Sequence, residues 1–281
     1  MCPLIGRAIC ALAMLAPFHS QSAVTATAQI DGFAVEFTAL QPGDGSLLAL
    51  TLVGGRSQLL GTAFNSGGPI AGASLWSAGP FGDLDARFDA ASVRGAASIR
   101  GGAGGPPWAG AMLYAEGSLD DATSAYRYFT ASVSSNGDFY QGYSLLLSAH
   151  TAVTITAHGS LALAKTVAPD FTGISGEAGA ARARLYLENA GVGNGSTAAL
   201  NLDLFDVAQS LSRSFSVSAT AVNAGNAPLL LRFLAQVSVD GTSTASVVPE
   251  PSSWGLLLTG LFVVAWCARG RRFAALATRP L

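Results

Sequence analysis

Apolar and polar residues alternate with a two-residue period along much of this chain, and that rhythm restricts the fold to strands. In TAALNLDLFDV, Leu200, Leu202 and Leu204 fall on one side of an extended segment while Asn201 and Asp203 fall on the other. In RSFSVSATAVN, Phe215, Val217, Ala219 and Ala221 alternate with serine and threonine. Segments 24–37, 47–53, 111–117, 126–134, 151–163, 183–188 and 229–239 repeat the pattern. Successive side chains of a strand point to opposite faces, so such a segment buries one face and wets the other. Between these segments lie PGDG (42–45), NSGGP (65–69), GGAGGPP (101–107), SNGD (135–138) and GVGNGS (191–196). Glycine-rich and Asn-Gly joints favour hairpins. No apolar helical stripe runs longer than about twelve residues. Roughly ten to thirteen strands, each with one polar face, predict an all-β body: a two-sheet antiparallel β-sandwich of jelly-roll or immunoglobulin-like type.

Composition narrows the setting. Charged residues make up 11% of the 281, against about 25% in an average soluble domain. With half of the chain hydrophobic, disorder is not the reason. Residues 24–248 carry 10 basic and 16 acidic side chains, a net −6, which argues against nucleic acid as a partner. Cys2, Cys10 and Cys267 all lie in the terminal segments. The body therefore offers neither a disulfide framework nor a cysteine metal site, and packing alone must hold it. Lys165 is the only lysine.

Both ends read as addresses. Arg7 precedes an apolar run, Ala8 to Phe18, and small residues follow, the layout of a secretory signal peptide over residues 1–23. Cys10 sits inside the run rather than after it, which argues against a lipoprotein. At the other end Pro249, Glu250 and Pro251 form an extended, non-helical junction. Residues 254–268 follow without a charge. As a helix they cover roughly 22 Å, less than the roughly 30 Å hydrocarbon core, so a transmembrane placement needs thinning or snorkelling. Arg269, Arg271 and Arg272 come next, and the positive-inside rule keeps them cytoplasmic, with the body outside.

Val-Pro-Glu-Pro, a short apolar helix and an arginine cluster, in that order, resemble the PEP-CTERM sorting signal of Gram-negative bacteria. The stretches YSLLLSAHTAVTITAHGSLAL (143–163) and RSFSVSATAVNAGNAPLLLRFLAQVSVDG (213–241) are similar to strand pairs seen in bodies of that family. The resemblance implies that Pro249, Glu250 and Pro251 are the recognition element for cleavage. It also implies that residues 254–268 stop transfer and that Arg269, Arg271 and Arg272 retain the tail in the membrane. An exosortase, a membrane-embedded cysteine protease or transpeptidase, is the implied partner. The family usually ends soon after the arginines, whereas this chain continues from Phe273 to Leu281. The organisation expected is a signal peptide (1–23), a β-sandwich body (24–247) and a sorting signal (248–281).

Little in the body suggests catalysis. His150 and His158 would lie about 26 Å apart on one polar face, with Thr154 and Thr156, if their strand were unbroken, too far to share a metal. No G-x-S-x-G elbow occurs, and GISG (173–176) lies in a loop. Asp83 and Asp85 would share a strand face and, with Asp89, form the best acidic group, but their spacing is not that of an EF-hand. Asp120 and Asp121 read as a turn or cap. Tyr126, Tyr128, Phe139, Tyr140 and Tyr143 gather round one hairpin, with Trp76 and Trp108 in Gly/Pro-rich loops. Tyr126 and Tyr128 would share a face and could stack on a sugar. The expectation is an exported, non-enzymatic surface or matrix protein without cofactor or metal. It is anchored transiently in the inner membrane and associates with extracellular polysaccharide. The alternative is a carbohydrate-binding module, with a secreted hydrolase ranked behind it.

Overall fold

The computed structural model describes residues 24–43, 47–66, 68–79, 81–101, 110–119, 126–136, 144–166, 176–189, 192–244 and Thr259. The strands belong to one compact unit, Gln21–Ala245. In chain order they are β1 (Val24–Ala39), β2 (Leu50–Leu52), β3 (Arg56–Asn65), β4 (Ala71–Ala78), β5 (Leu84–Ala90), β6 (Val93–Arg100) and β7 (Met112–Leu119). Then come β8 (Tyr126–Ser134), β9 (Leu145–Leu147), β10 (Thr151–Lys165), β11 (Gly176–Asn189), β12 (Val192–Leu202), β13 (Gln209–Asn223) and β14 (Leu229–Thr244).

These form two antiparallel sheets. The first has six strands in the order β13-β10-β1-β7-β6-β5. The second has eight: β12-β11-β14-β8-β3-β4, with β9 and β2 attached along the first residues of β14. The two-residue pattern explains the layering. On β10, Val153, Ile155, Ala157, Leu161 and Leu163 are buried while Thr154, Thr156 and His158 face outward. β1 follows β10 along its whole length, with one bulge between Ile30 and Gly32.

The two sheets interlock through phenylalanines seated over glycines. Phe88 projects from β5 into the interior, where Gly95 of its own sheet and Gly61 of the opposite sheet make room for its ring. A Cβ on either glycine would run into the ring carbons. Phe129 of β8 mirrors this, lying over Gly117 of the first sheet and Gly241 of the second. Along one side the sandwich is also closed by a side chain. The Ser196 hydroxyl of β12 accepts from the Ser218 N–H of β13 (2.6 Å) and donates to the Ser218 carbonyl (2.9 Å), replacing a ladder pair between sheets. Edge strands invite association unless covered, and this bond occupies edge groups of β13.

The structure corrects several expectations. The described strands number fourteen rather than ten to thirteen. β3, β4, β5 and β6 were missing from the alternation pattern. On β3 the buried positions are Ser57, Leu59, Gly61 and Ala63, while Leu60 is 41% exposed, so hydropathy does not mark the inner face. Leu204 does not share a strand with Leu200 and Leu202, because β12 stops at Leu202 and the chain turns. His150 lies outside β10, in a left-handed turn (φ 50), so the histidines do not share an unbroken strand. Asp83 precedes β5 and shares no strand face with Asp85. Trp76 lies on β4, not in a loop. Residues 1–23, Pro249, Glu250, Pro251, Arg269, Arg271, Arg272 and all of 254–268 except Thr259 lie outside the described residues.

Replacing Gly95 by alanine forces a methyl against a ring that the opposite sheet holds from behind, and such overpacking costs about 1–3 kcal/mol. Phe88→Ala instead empties the seat and costs about 3–5 kcal/mol. Urea denaturation of the full chain should show both midpoints lowered, with Phe88→Ala the more damaging. A Gly95→Ala protein as stable as the parent would contradict this packing.

Candidate functional site: a polar groove on the six-stranded sheet

A concavity lies on the outer face of the first sheet. Antiparallel register places Thr25, Ser118, Arg94 and Asp89 side by side across β1, β7, β6 and β5. The next row outward is Thr27, Glu116, Ala96 and Arg87. Thr25, Thr27, Ser118 and Ala96 are short, while Arg87, Asp89, Arg94 and Glu116 are long and exposed. A depression of about 580 Å³ results, lined by these residues. Its underside is the glycine-seated zone of the core, since Gly95, Gly117 and Phe88 also line it.

Four of the body's few charges meet here. Arg94 Nε stands 3.6 Å from the Asp89 carboxylate, with both side chains well exposed. Such a pair contributes roughly 0–1 kcal/mol and opens readily. The neighbouring row carries Gln29, Tyr114, Ser98 and Asp85. Tyr114 donates its hydroxyl to the Glu116 carboxylate. Burial of the phenol, then that bond and the Glu116 charge, push its pKa up to about 12, with Arg87 pulling the other way.

The expected aromatic pair is also on an outer face, that of the second sheet. Tyr126 and Tyr128 alternate with buried Arg127 and Phe129. Phe64 of β3, not foreseen as a partner, stacks on Tyr128 at 5.1 Å and 23°. Tyr126 and Tyr128 are 5.9 Å apart and tilted. Phe64 covers part of Tyr128, which leaves Tyr126, 47% exposed, the more open of the two rings. Trp76 lies elsewhere on this face with the Arg56 guanidinium 5.0 Å from its centroid. Phe139, Tyr140, Tyr143 and Trp108 lie outside the described residues.

The other candidates stay dispersed. His158 faces outward on β10, and the His150 N–H donates to the Gly225 carbonyl at 3.3 Å. Asp83 accepts from the Gly101 N–H at 2.7 Å. Asp120 and Asp121 lie outside the described residues. Among the described residues no three His, Cys, Asp or Glu side chains gather as a metal site, and no helix is long and apolar enough to cross a membrane.

Sequence reading missed the buried charges at one end of the sandwich. Lys165 is 2% exposed and its ammonium donates to the carbonyls of Glu177 (2.9 Å), Asp203 (2.8 Å) and Leu204 (3.1 Å). Desolvation lowers its pKa from 10.5, opposed by the Asp206, Glu177 and Asp203 charges. Arg127 is 0% exposed and reaches Ser92 Oγ (3.3 Å) and Ser243 Oγ (3.4 Å). Parity carried the signal: Lys165 continues the inward series Leu161 and Leu163, and Arg127 lies between two outward tyrosines.

No family model, no curated protein and no solved structure matches the chain.

The Tyr114 phenol sets a pH limit. Unfolded, it titrates near 10.0, whereas folded it holds its proton to about 12. Between those values the folded state binds more protons, so this contribution to stability is lost as pH rises from 10 to 12. Ultraviolet phenolate titration of the native chain should show a step near pH 12, and Tyr114→Phe should remove it. A step that persists in the variant would contradict the assignment.

Proposed function

We propose that this chain is an exported surface or matrix protein of the PEP-CTERM type. In this proposal residues 254–268 hold it for a time in the inner membrane, and an exosortase cuts at the junction formed by Pro249, Glu250 and Pro251. The observation that carries the proposal is the order of parts in the tail: Val-Pro-Glu-Pro, an uncharged segment, then Arg269, Arg271 and Arg272. Residues 1–23 are removed as a signal peptide. The sandwich, of jelly-roll or immunoglobulin-like type with added strands, acts without catalysis or cofactor among extracellular polysaccharide at the cell surface.

Physical features of the body support that setting. It needs no disulfide, since its core closes by packing. Its outer faces carry hydroxyls in rows: Thr154, Thr156 and Ser160 on β10 lie opposite Thr220, Ser218 and Ser214 on β13. The last described residue of β14, Thr244, pairs with Gly176 and Tyr126, at the end that holds the buried charges.

A second reading, carbohydrate binding by the body, is favoured by the outward cluster of Tyr126, Tyr128 and Phe64. An aromatic face offers both apolar area and a polar handle to a sugar ring. Affinity electrophoresis of the full chain in detergent, through gels containing exopolysaccharide of the producing cells, should show retardation. Tyr126→Ala with Tyr128→Ala should weaken it several-fold, and unchanged mobility of the double variant would remove the tyrosines from the site.

The tail is tested in the exporting cell. Glu250→Ala, or deletion of residues 269–272, should change the mass of the mature protein and shift it between membrane and extracellular fractions. If parent and variants keep the same mass and the same fraction, the sorting proposal fails.

A further inference from the structure

We propose that the groove formed by Thr25, Thr27, Arg87, Asp89, Arg94, Glu116 and Ser118 is a binding site for a neutral, polyhydroxylated glycan chain. The proposal rests on the carbohydrate reading above and adds a site on the opposite sheet from the tyrosines.

The lining sets the ligand chemistry. Guanidinium groups only donate hydrogen bonds, ionised carboxylates only accept them, and threonine and serine hydroxyls do both. A sugar hydroxyl also does both, so vicinal hydroxyls can meet a planar guanidinium on one side and a carboxylate on the other. Hydrogen bonds with one charged partner are the stronger kind. Arg87 and Arg94 stand among Asp89 and Glu116, and the same two rows carry Thr25 with Ser118, and Thr27.

Charge excludes the other polymers. The groove holds two positive and two negative groups, so its net charge is zero. A polyanion would be set against Asp89 and Glu116, and a polycation against Arg87 and Arg94. An uncharged chain meets neither repulsion, and the exposed Arg94–Asp89 contact is weak enough to yield to it. The shape agrees with a linear ligand. From β1 to β5 there are three interstrand steps, about 14 Å in all, with short Thr25, Ser118 and Thr27 toward β1 and Ala96 between Glu116 and Arg87. Tyr114, hydrogen-bonded to Glu116, fixes that carboxylate beside the path. The charged side chains are exposed and none carries the core, so the site can be altered without emptying the interior.

The test uses the full chain in detergent, run through native gels containing a neutral β-glucan, dextran or galactomannan, the polyanion alginate, or the polycation chitosan. Retardation is expected in at least one neutral gel and not in alginate or chitosan. Arg87→Ala and Glu116→Gln should each weaken it about tenfold or more, the loss expected for one charge-assisted hydrogen bond. Circular dichroism and the urea midpoint should stay at parental values, which separates loss of binding from loss of fold. In the tyrosine double variant, the groove substitutions should remove whatever retardation is left. If the tyrosine variant abolishes binding while the groove variants leave it untouched, the groove proposal is wrong and the carbohydrate reading survives. If the parent is retarded by no neutral glycan, the groove proposal falls, and the carbohydrate reading falls with it only if exopolysaccharide of the producing cells also leaves mobility unchanged. Retardation by alginate or chitosan alone overturns the charge argument and the proposal with it.

Discussion

The seating of Phe88 and Phe129 over paired glycines is the constraint on which the sandwich depends. Each ring starts on one sheet and ends against backbone of the other, so the two layers are keyed and not merely stacked. A chain without cysteines in its body has no covalent clamp to resist sliding. Interiors are packed to crystal-like density and resist changes of even a methylene. The glycines therefore act as sockets, and their value lies in the side chain they lack. The same zone supports the groove: the backbone of Gly95 and Gly117 roofs the phenylalanines below and floors the depression above.

Much of the layering was legible in the sequence. Segment 126–134 coincides with β8, and the inward set Phe215, Val217 and Ala219 is buried as its parity requires. Tyr126 and Tyr128 share a face for the same reason. Where alternation failed, chemistry explains it. β3 buries Ser57 and Gly61 and exposes Leu60, and β6 buries Gly95, Ala96 and Ala97 in a row. Small residues carry little hydropathy contrast, so strands built from them stay silent in a periodicity search. The groove was illegible for a further reason. Its residues come from four strands, and only register brings Thr25, Ser118, Arg94 and Asp89 into one line. Asp89 was seen, but as a member of an acidic run along one segment. Its actual neighbours are Arg94 across a hairpin and Ser118 one strand further on.

The distribution of charge gives the body two different surfaces from one scarce resource. Burying a charge is costly unless it is paired or richly hydrogen-bonded. Lys165 meets that condition through three carbonyls, two of them from the turn that follows β12. It thereby ties the end of β10 in one sheet to β11 and to that turn. Arg127 and Ser243 lie opposite each other on β8 and β14, and Ser243 also lies opposite Glu177 on β11, so the second sheet carries a polar row at its inner edge. The groove charges lie on the outside, where water pays nothing to keep them and a ligand can reach them.

That buried row also settles how the strands must align. Shifting β8 by one residue would turn every side chain to the other face, driving Arg127 out and Tyr126 and Tyr128 into the core, and taking Phe129 off its seat over Gly117 and Gly241. Shifting β10 would expose Leu163 and withdraw Lys165 from the carbonyls it satisfies. In strands as rich in alanine, serine and glycine as these, hydrophobicity alone discriminates weakly between registers. A misplaced Arg127 or Lys165 discriminates strongly, because an orphaned buried charge costs more than the burial of several alanines returns. The two buried cations thus specify the alignment that the small residues leave open. The groove depends on register in the same way, since a one-residue slip between β6 and β7 would separate Arg94 from Ser118 and Ala96 from Glu116.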